Sequence, residues 1–451
     1  MSVNTMNRRQ LLKTFGAGVG MLTLAACAAP LAPAAPSASE AATGASTEPQ
    51  TITLWSSFSG VNGTAENTLV ERFNEQMDGD VVVDYQFQGS YEETAAKVTA
   101  ALQANTAPEI ALLSDVWWFK FYLSQHLLPL DSLMEAQNVD LADYHDSLIN
   151  EGVRQGQHYW MPFARSTPLF YYNKEKWEAA GLPDRGPATW DEFTEWAELL
   201  VERDGDEVTT SAFAHPDGAS YIAWLFQGVV WQFGGAYSDA DFTMRMTDEE
   251  TIAAGQFYHD TVHNFQWAVP SSDLGVDFIN GFTAAAMMST GSLGGINANA
   301  EFEFGTAFLP EKDGFGCCTG GAGLSVLSNA PEDKHTACMQ YIEFASNPEQ
   351  TTFWSQATGY MPVRKSAQER PEMLAYFEEF PQFKTATDQL ALTRAQDAAR
   401  VFVPNGDQII GRGLERITVQ SDAVAGAFAD VQRILEEEAQ PVVEQLHAIE
   451  A

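Results

Sequence analysis

With 61 carboxylates in 451 residues, some acidic pairs must fall close together, and two carboxylates facing each other across a cleft are all that a glycosidase needs. Other catalytic patterns are missing from the sequence. It has no Gly-x-Ser-x-Gly nucleophile elbow and no His-Glu-x-x-His pair, and Gly320-Gly321-Ala322-Gly323 lacks the lysine of a phosphate loop. The eight histidines are scattered, which suits surface or capping roles better than catalysis or metal binding. Cys317, Cys318 and Cys338 have no Cys-x-x-Cys spacing and read as buried free thiols, with a bridge from Cys338 to one of the adjacent pair left open. The stretch Asp204-Gly205-Asp206-Glu207 reads as a solvated loop, not a calcium site. What remains is the chemistry of capture without reaction. Ser289-Thr290-Gly291-Ser292 can open a helix and offer amides and hydroxyls to an anion, or it can simply cap that helix. No catalytic residue, metal or cofactor is expected; a secreted carbohydrate-active hydrolase is the rival from another class.

The elements that would position such groups alternate. Residues 51–55 read as a half-buried strand, 62–76 as a helix through Leu69, Val70 and Phe73, and 81–87 as a second strand. A helix over 91–103, a short strand over 110–113 and an aromatic-rich helix over 117–123 follow. Strand and helix in alternation imply a largely parallel α/β lobe. Residues 159–172 are extended through Pro162 and Pro168, and helices over 191–202 and 221–233 belong to a second lobe. Glycine- and serine-rich turns at 289–295 and 320–323 lie between apolar segments, as binding loops do.

The amino terminus is a targeting segment. Arg8 and Arg9 precede an apolar run that ends in Leu24-Ala25-Ala26-Cys27, which resembles a bacterial lipobox, so Cys27 is expected to carry the lipid. The paired arginines resemble a Tat signal, with an ordinary Sec signal as the alternative. Residues 28–50 are mostly Ala, Pro, Ser, Thr and Gly and form a flexible tether. The formal net charge is −37, and three of the 24 basic residues lie in the targeting segment. Nucleic acid and anionic membrane surfaces are excluded as partners, and the excess suits work outside the cell in high salt.

Several segments in order resemble the extracellular solute-binding proteins of ABC importers, in the sugar-binding family 1. They include Ile52-Thr53-Leu54-Trp55, Ala107-Pro108-Glu109-Ile110, Tyr171-Tyr172-Asn173-Lys174, Pro187-Ala188-Thr189-Trp190-Asp191 and Thr358-Gly359-Tyr360-Met361-Pro362. Gly89-Ser90-Tyr91-Glu92, Arg165-Ser166-Thr167-Pro168 and Ser289-Thr290-Gly291-Ser292-Leu293 are most similar to the glycerol-3-phosphate-binding branch. The resemblance implies a two-lobe periplasmic-binding-protein fold of type II, closing by hinge motion over its ligand. It places a signal peptide at 1–26, a lipid-anchored linker at 27–50, lobe 1 at 51–165 plus 322–350, and lobe 2 at 166–321 plus 351–451. Hinge crossings fall near 164–166, 321–323 and 350. It implies ligand contacts at Tyr91, Asp115, Ser166, Ser289, Gly320, Gly321 and Tyr360, and likeness to maltodextrin-binding relatives adds Tyr221. Asp115 and the serines can bond sugar hydroxyls while the tyrosines stack. Where the glycerol-phosphate branch carries a phosphate-clamping arginine, this chain has Ile410, with Arg412 two residues on. An isoleucine cannot pair with phosphate, so an uncharged carbohydrate is expected ahead of a polyol phosphate such as glycerol-3-phosphate or a glycerophosphodiester; Arg412 is the candidate if phosphate is bound. The tyrosine pair Tyr171-Tyr172 would suit an iron-binding protein of similar architecture, but the resemblance puts it in a core strand. The expected protein is a monomer at the cell envelope, tethered through Cys27, that hands its solute to the permease subunits of an importer.

Overall fold

The computed structural model describes residues 49–205, 207–218 and 221–450; the targeting segment, Cys27 and the tether lie outside them. The chain enters on β1 (Gln50–Ser56), where Ile52, Leu54 and Ser56 turn inward at every second position. It continues through α1 (Gly60–Gln76), β2 (Val81–Phe87), α2 (Tyr91–Ala104), β3 (Ile110–Ser114) and α3 (Trp118–Leu123). Ser90 and Glu93 form a reciprocal capping box that fixes the start of α2. After a run of short helices come β4 (Met161–Ser166) and β5 (Pro168–Asn173), two fully buried strands with Thr167 between them.

Those two strands belong to different sheets, so the chain passes from one lobe to the other at Thr167. Lobe 2 adds β6 (Glu207–Pro216), α4 (Ile222–Gln232), β7 (Ala268–Ser271), β8 (Thr283–Ser289), α5 (Leu293–Asn299) and β9 (Phe304–Ala307). The chain returns on β10 (Gly320–Val326) to the first sheet, whose order is β2-β1-β3-β10-β4; the second is ordered β7-β6-β8-β5-β9. Alternation of strand and helix leads one to expect largely parallel sheets, and β1 is indeed parallel to β2 and β3. Each sheet is nevertheless mixed: β10 runs antiparallel to β3 and β4, and β5 antiparallel to β8 and β9. Strands that arrive by crossing between lobes, without a covering helix, are free to run in the opposite sense.

The last third is helical: α6 (His335–Ser346), α7 (Pro348–Thr358), α8 (Ala398–Val401), α9 (Gly406–Thr418) and α10 (Val424–Ile449). α7 packs on α1 of lobe 1, whereas α8, α9 and the turn between them bury Ala399, Val403, Ile410 and Leu414 in the lobe 2 core with α4. Among the described residues no helix is long and apolar enough to cross a membrane.

Candidate functional site

The cleft between the sheets holds a cavity of about 540 Å³, and its lining comes from both lobes. Lobe 1 supplies Tyr91 from the first turn of α2, placed by the capping box behind it, and Asp115 from just past the end of β3. The Asp115 amide donates to Gly321 O at 2.9 Å, which ties the end of β3 to the crossing strand β10. Ser166 stands at the end of β4, Ser289 at the end of β8 and Tyr221 at the head of α4, all facing the same space.

Tyr360 is positioned by a helix stop. α7 ends on Gly359 at φ 90°, and a Cβ there would lie 2.4 Å from Leu293 Cβ and 2.5 Å from Thr290 O, so only glycine fits this left-handed turn. The Tyr360 ring stacks on Trp354 with centroids 5.7 Å apart and planes 8° apart, and Phe58 lies 5.7 Å away on another side. Its hydroxyl meets that of Tyr91 at 3.4 Å. Burial pushes the Tyr360 phenol up to about 12 and the Tyr91 phenol well above its ordinary value, so both rings present neutral, hydrogen-bonding edges.

The same cavity is lined by an arginine that the sequence reading does not single out. Arg400, on α8 of lobe 2, donates from Nε to Asp407 at 2.6 Å and from Nη1 to Asp115 of lobe 1 at 3.4 Å. Gln396 joins them, donating to Asp115 at 2.5 Å and accepting from Arg400 Nη1. Burial works against the Arg400 charge, but Asp407 and Asp115 outweigh it, and the guanidinium is held above its ordinary value. Burial raises the Asp407 carboxyl, and Arg400 opposes that rise. The result is an ion triad joining the two lobes at the cavity wall.

Of the sequence-derived contacts, Tyr91, Asp115, Ser166, Tyr221, Ser289, Gly321 and Tyr360 converge on the one cavity. Gly320 sits just behind it, buried, with the Trp224 indole where its Cβ would be. Arg412 is not part of the lining: it is exposed on α9, and its Nε donates to Gln408 O at 3.2 Å. Ile410 is fully buried in the lobe 2 core. Ser289 acts as a cap, its Oγ accepting from Gly291 N at 3.1 Å. Phe58, Trp224, Arg400 and Asp407 also line the cavity and are absent from the sequence-based set. One signal did exist: Arg400 is the single charge in the run Ala398-Ala399-Arg400-Val401-Phe402-Val403, and a charge at a buried helical position requires partners.

The remaining candidates sort themselves. Tyr171 and Tyr172 point to opposite faces of β5, donating to Ser289 O at 2.7 Å and to Asp184 at 2.9 Å, so their phenols do not converge on a metal. Cys317 and Cys318 are buried free thiols in the lobe 2 core and Cys338 is one in lobe 1. Burial lifts Cys317 and Cys338 to about 12, which makes them inert.

Comparison with known proteins turns on residues 68–385, which match the family model described as bacterial extracellular solute-binding protein. The chain belongs to that family. It is accordingly the solute-binding component of an ABC importer, and its relatives are binding proteins. One solved relative, UgpB from Mycobacterium tuberculosis in complex with glycerophosphocholine, is 42% identical and superposes with a TM-score of 0.83 over 88% of this chain and 99% of that one. The sn-glycerol-3-phosphate-binding periplasmic protein UgpB of Yersinia enterocolitica is 26% identical, with 75% of this chain and 80% of that protein covered. A cyclic alpha-maltosyl-1,6-maltose binding protein from Arthrobacter globiformis shares the fold, with a TM-score of 0.72 at 24% identity over 88% of this chain and 99% of that one.

Proposed function

We propose that the solute is a glycerophosphodiester, with glycerophosphocholine as the first compound to try. The carrying observation is Arg400, a charged guanidinium in the lining of a cavity that Tyr91, Tyr360 and Phe58 also line. A guanidinium gives phosphate charge-assisted bonds, the faces of Tyr91, Tyr360 and Phe58 suit a methylated ammonium, and Asp115, Ser166 and Ser289 suit the glycerol hydroxyls. The glycerophosphocholine complex of the 42% identical relative supports this reading. A neutral carbohydrate is the second reading, favoured by the fact that Arg400 is already engaged by two carboxylates.

In this reading the chain crosses between the lobes near 166–168 and again just before β10, and a last crossing lies between α7, which packs on lobe 1, and α8, which packs on lobe 2. Ligand touches both lobes only when they close, so its differential affinity shifts the population to the closed form. The protein is a binding protein and not an enzyme, a monomer held at the envelope by lipid on Cys27, with the permease subunits recognising its closed shape.

The test is thermal unfolding with and without ligand, since a solute that binds only the native form raises the melting temperature. Glycerophosphocholine should raise it and maltose should not, and Arg400→Ala should abolish the rise. A response to maltose alone would replace the phosphodiester with a sugar.

A further inference from the structure

The charges in the cleft do not cancel. Among the described residues Arg400 is the only cationic side chain lining the cavity, whereas Glu92, Asp115 and Asp407 all line it. Arg412 is turned to solvent one helical turn beyond, and Arg165 is buried outside the lining, with Nη2 paired to Glu151 and with Nε and Nη1 lacking a hydrogen-bond partner among the described residues. An excess of negative charge is therefore present before any solute enters.

The two carboxylates on Arg400 are not equivalent. Asp407 reaches Nε at 2.6 Å from the same lobe, on the helix that follows, and moves with Arg400. Asp115 approaches Nη1 at the long distance of 3.4 Å from the other lobe, and is also held by Gln396. A ligand phosphate arriving between the lobes can take the place of Asp115 but not of Asp407. Arg400 then faces the ligand as half of an almost neutral pair, with one edge of its fork already used.

We propose that Asp407 sets the charge the site accepts: by neutralising Arg400 from behind, it lets in a phosphodiester with a balancing cation and turns away a dianionic phosphomonoester. This rests on the phosphodiester reading above. A diester carries one negative charge, which the Arg400 Nη groups can meet, while its ammonium faces the aromatic rings with Asp115 and Glu92 nearby. A monoester such as glycerol-3-phosphate brings a second negative charge near neutral pH. No cation in the lining is left to receive it, and Asp407 and Asp115 repel it across a partly desolvated cavity where screening is weak.

Calorimetric titration of the full-length chain at pH 8 and about 0.1 M salt tests this, with glycerophosphocholine, glycerol-3-phosphate and maltose as probes. Asp407→Asn keeps the shape and removes the charge; Asp407→Glu keeps the charge. The ratio of glycerol-3-phosphate to glycerophosphocholine affinity should rise about tenfold or more in Asp407→Asn, the size expected for one unit charge a few ångströms away. It should return towards wild type in Asp407→Glu. Equal weakening of both phosphoesters in Asp407→Asn would give Asp407 a structural role only and overturn the proposal. Should the wild type bind maltose and neither phosphoester, the phosphodiester reading fails by itself. The charge proposal then stands only if Asp407→Asn gains measurable glycerol-3-phosphate binding, and falls if it does not.

Discussion

Glu66 is fully buried under the aromatic side of the cleft, with Ser56 Oγ donating to it at 2.5 Å and its second oxygen unpaired. Burial pushes its carboxyl from 4.5 up to about 7. The folded chain thus holds this proton more tightly than the unfolded chain does. Its contribution to stability is complete below about pH 4.5 and is lost as pH rises through about 7, a change on the order of 3 kcal/mol. Glu66→Gln should abolish that slope: the difference in urea midpoint between variant and wild type should grow in favour of the variant from pH 5 to pH 8. A constant difference would mean Glu66 is ionised throughout. Tyr360 needs a gentler change. It is 7% exposed and stacked on Trp354, so Tyr360→Ala should cost roughly 3 kcal/mol or more of fold stability. Tyr360→Phe keeps the stack and removes only the hydroxyl that meets Tyr91, and it should weaken solute binding by about 3- to 30-fold, in line with one lost hydrogen bond, while moving the melting temperature little. Calorimetry and thermal unfolding of the same samples separate the two effects. At this scale the candidate residues Tyr91, Ser166, Ser289 and Tyr360 were named through the family resemblance, and each lies where a strand or helix begins or ends. Arg400 was hidden because its role depends on Asp115, 285 residues away in sequence, and no local spacing encodes that pairing.

Element boundaries came close to the sequence reading wherever period and caps agree. β1, β2 and α2 are bounded within a residue or two, because alternation marks the strands and Ser90 with Glu93 marks the helix start. Less legible was the sense of β10: its glycine-rich sequence carries no directional information, and only the return from the second lobe makes it antiparallel. The end of α7 is the element on which the aromatic wall depends. Gly359→Ala must put a Cβ into a left-handed turn already filled by Leu293 and Thr290 O. A loss on the order of 1–3 kcal/mol is expected, accompanied by weaker solute binding because Tyr360 is displaced. Unchanged stability together with unchanged affinity would show that the turn relaxes without moving the ring.

For the whole molecule, two lobes were legible from length and from the alternation of elements, but which halves of the carboxy-terminal region join which lobe was not. α7 packs on lobe 1 and α8 and α9 on lobe 2 although all three belong to the same helical carboxy-terminal region, since their amphipathic faces specify burial and not a partner. The net charge acts at the same scale. At a formal −37, repulsion among carboxylates opposes the compact state, and it reaches further in dilute salt, where the screening length is about 30 Å at 0.01 M, than at 1 M, where it is about 3 Å. The exposed ion pairs, such as Arg185 with Glu192 and Arg433 with Glu437, lose strength over the same range, but each contributes only about 0–1 kcal/mol and acidic residues outnumber basic ones 61 to 24. Repulsion should therefore win. The melting temperature should climb as sodium chloride is raised from 0.01 M to 1 M, with most of the gain reached by about 0.3 M, where screening already falls below the spacing of surface charges. A melting temperature that fell with salt would mean that the ion-pair networks outweigh the net charge, and would remove the argument that this surface is suited to saline surroundings.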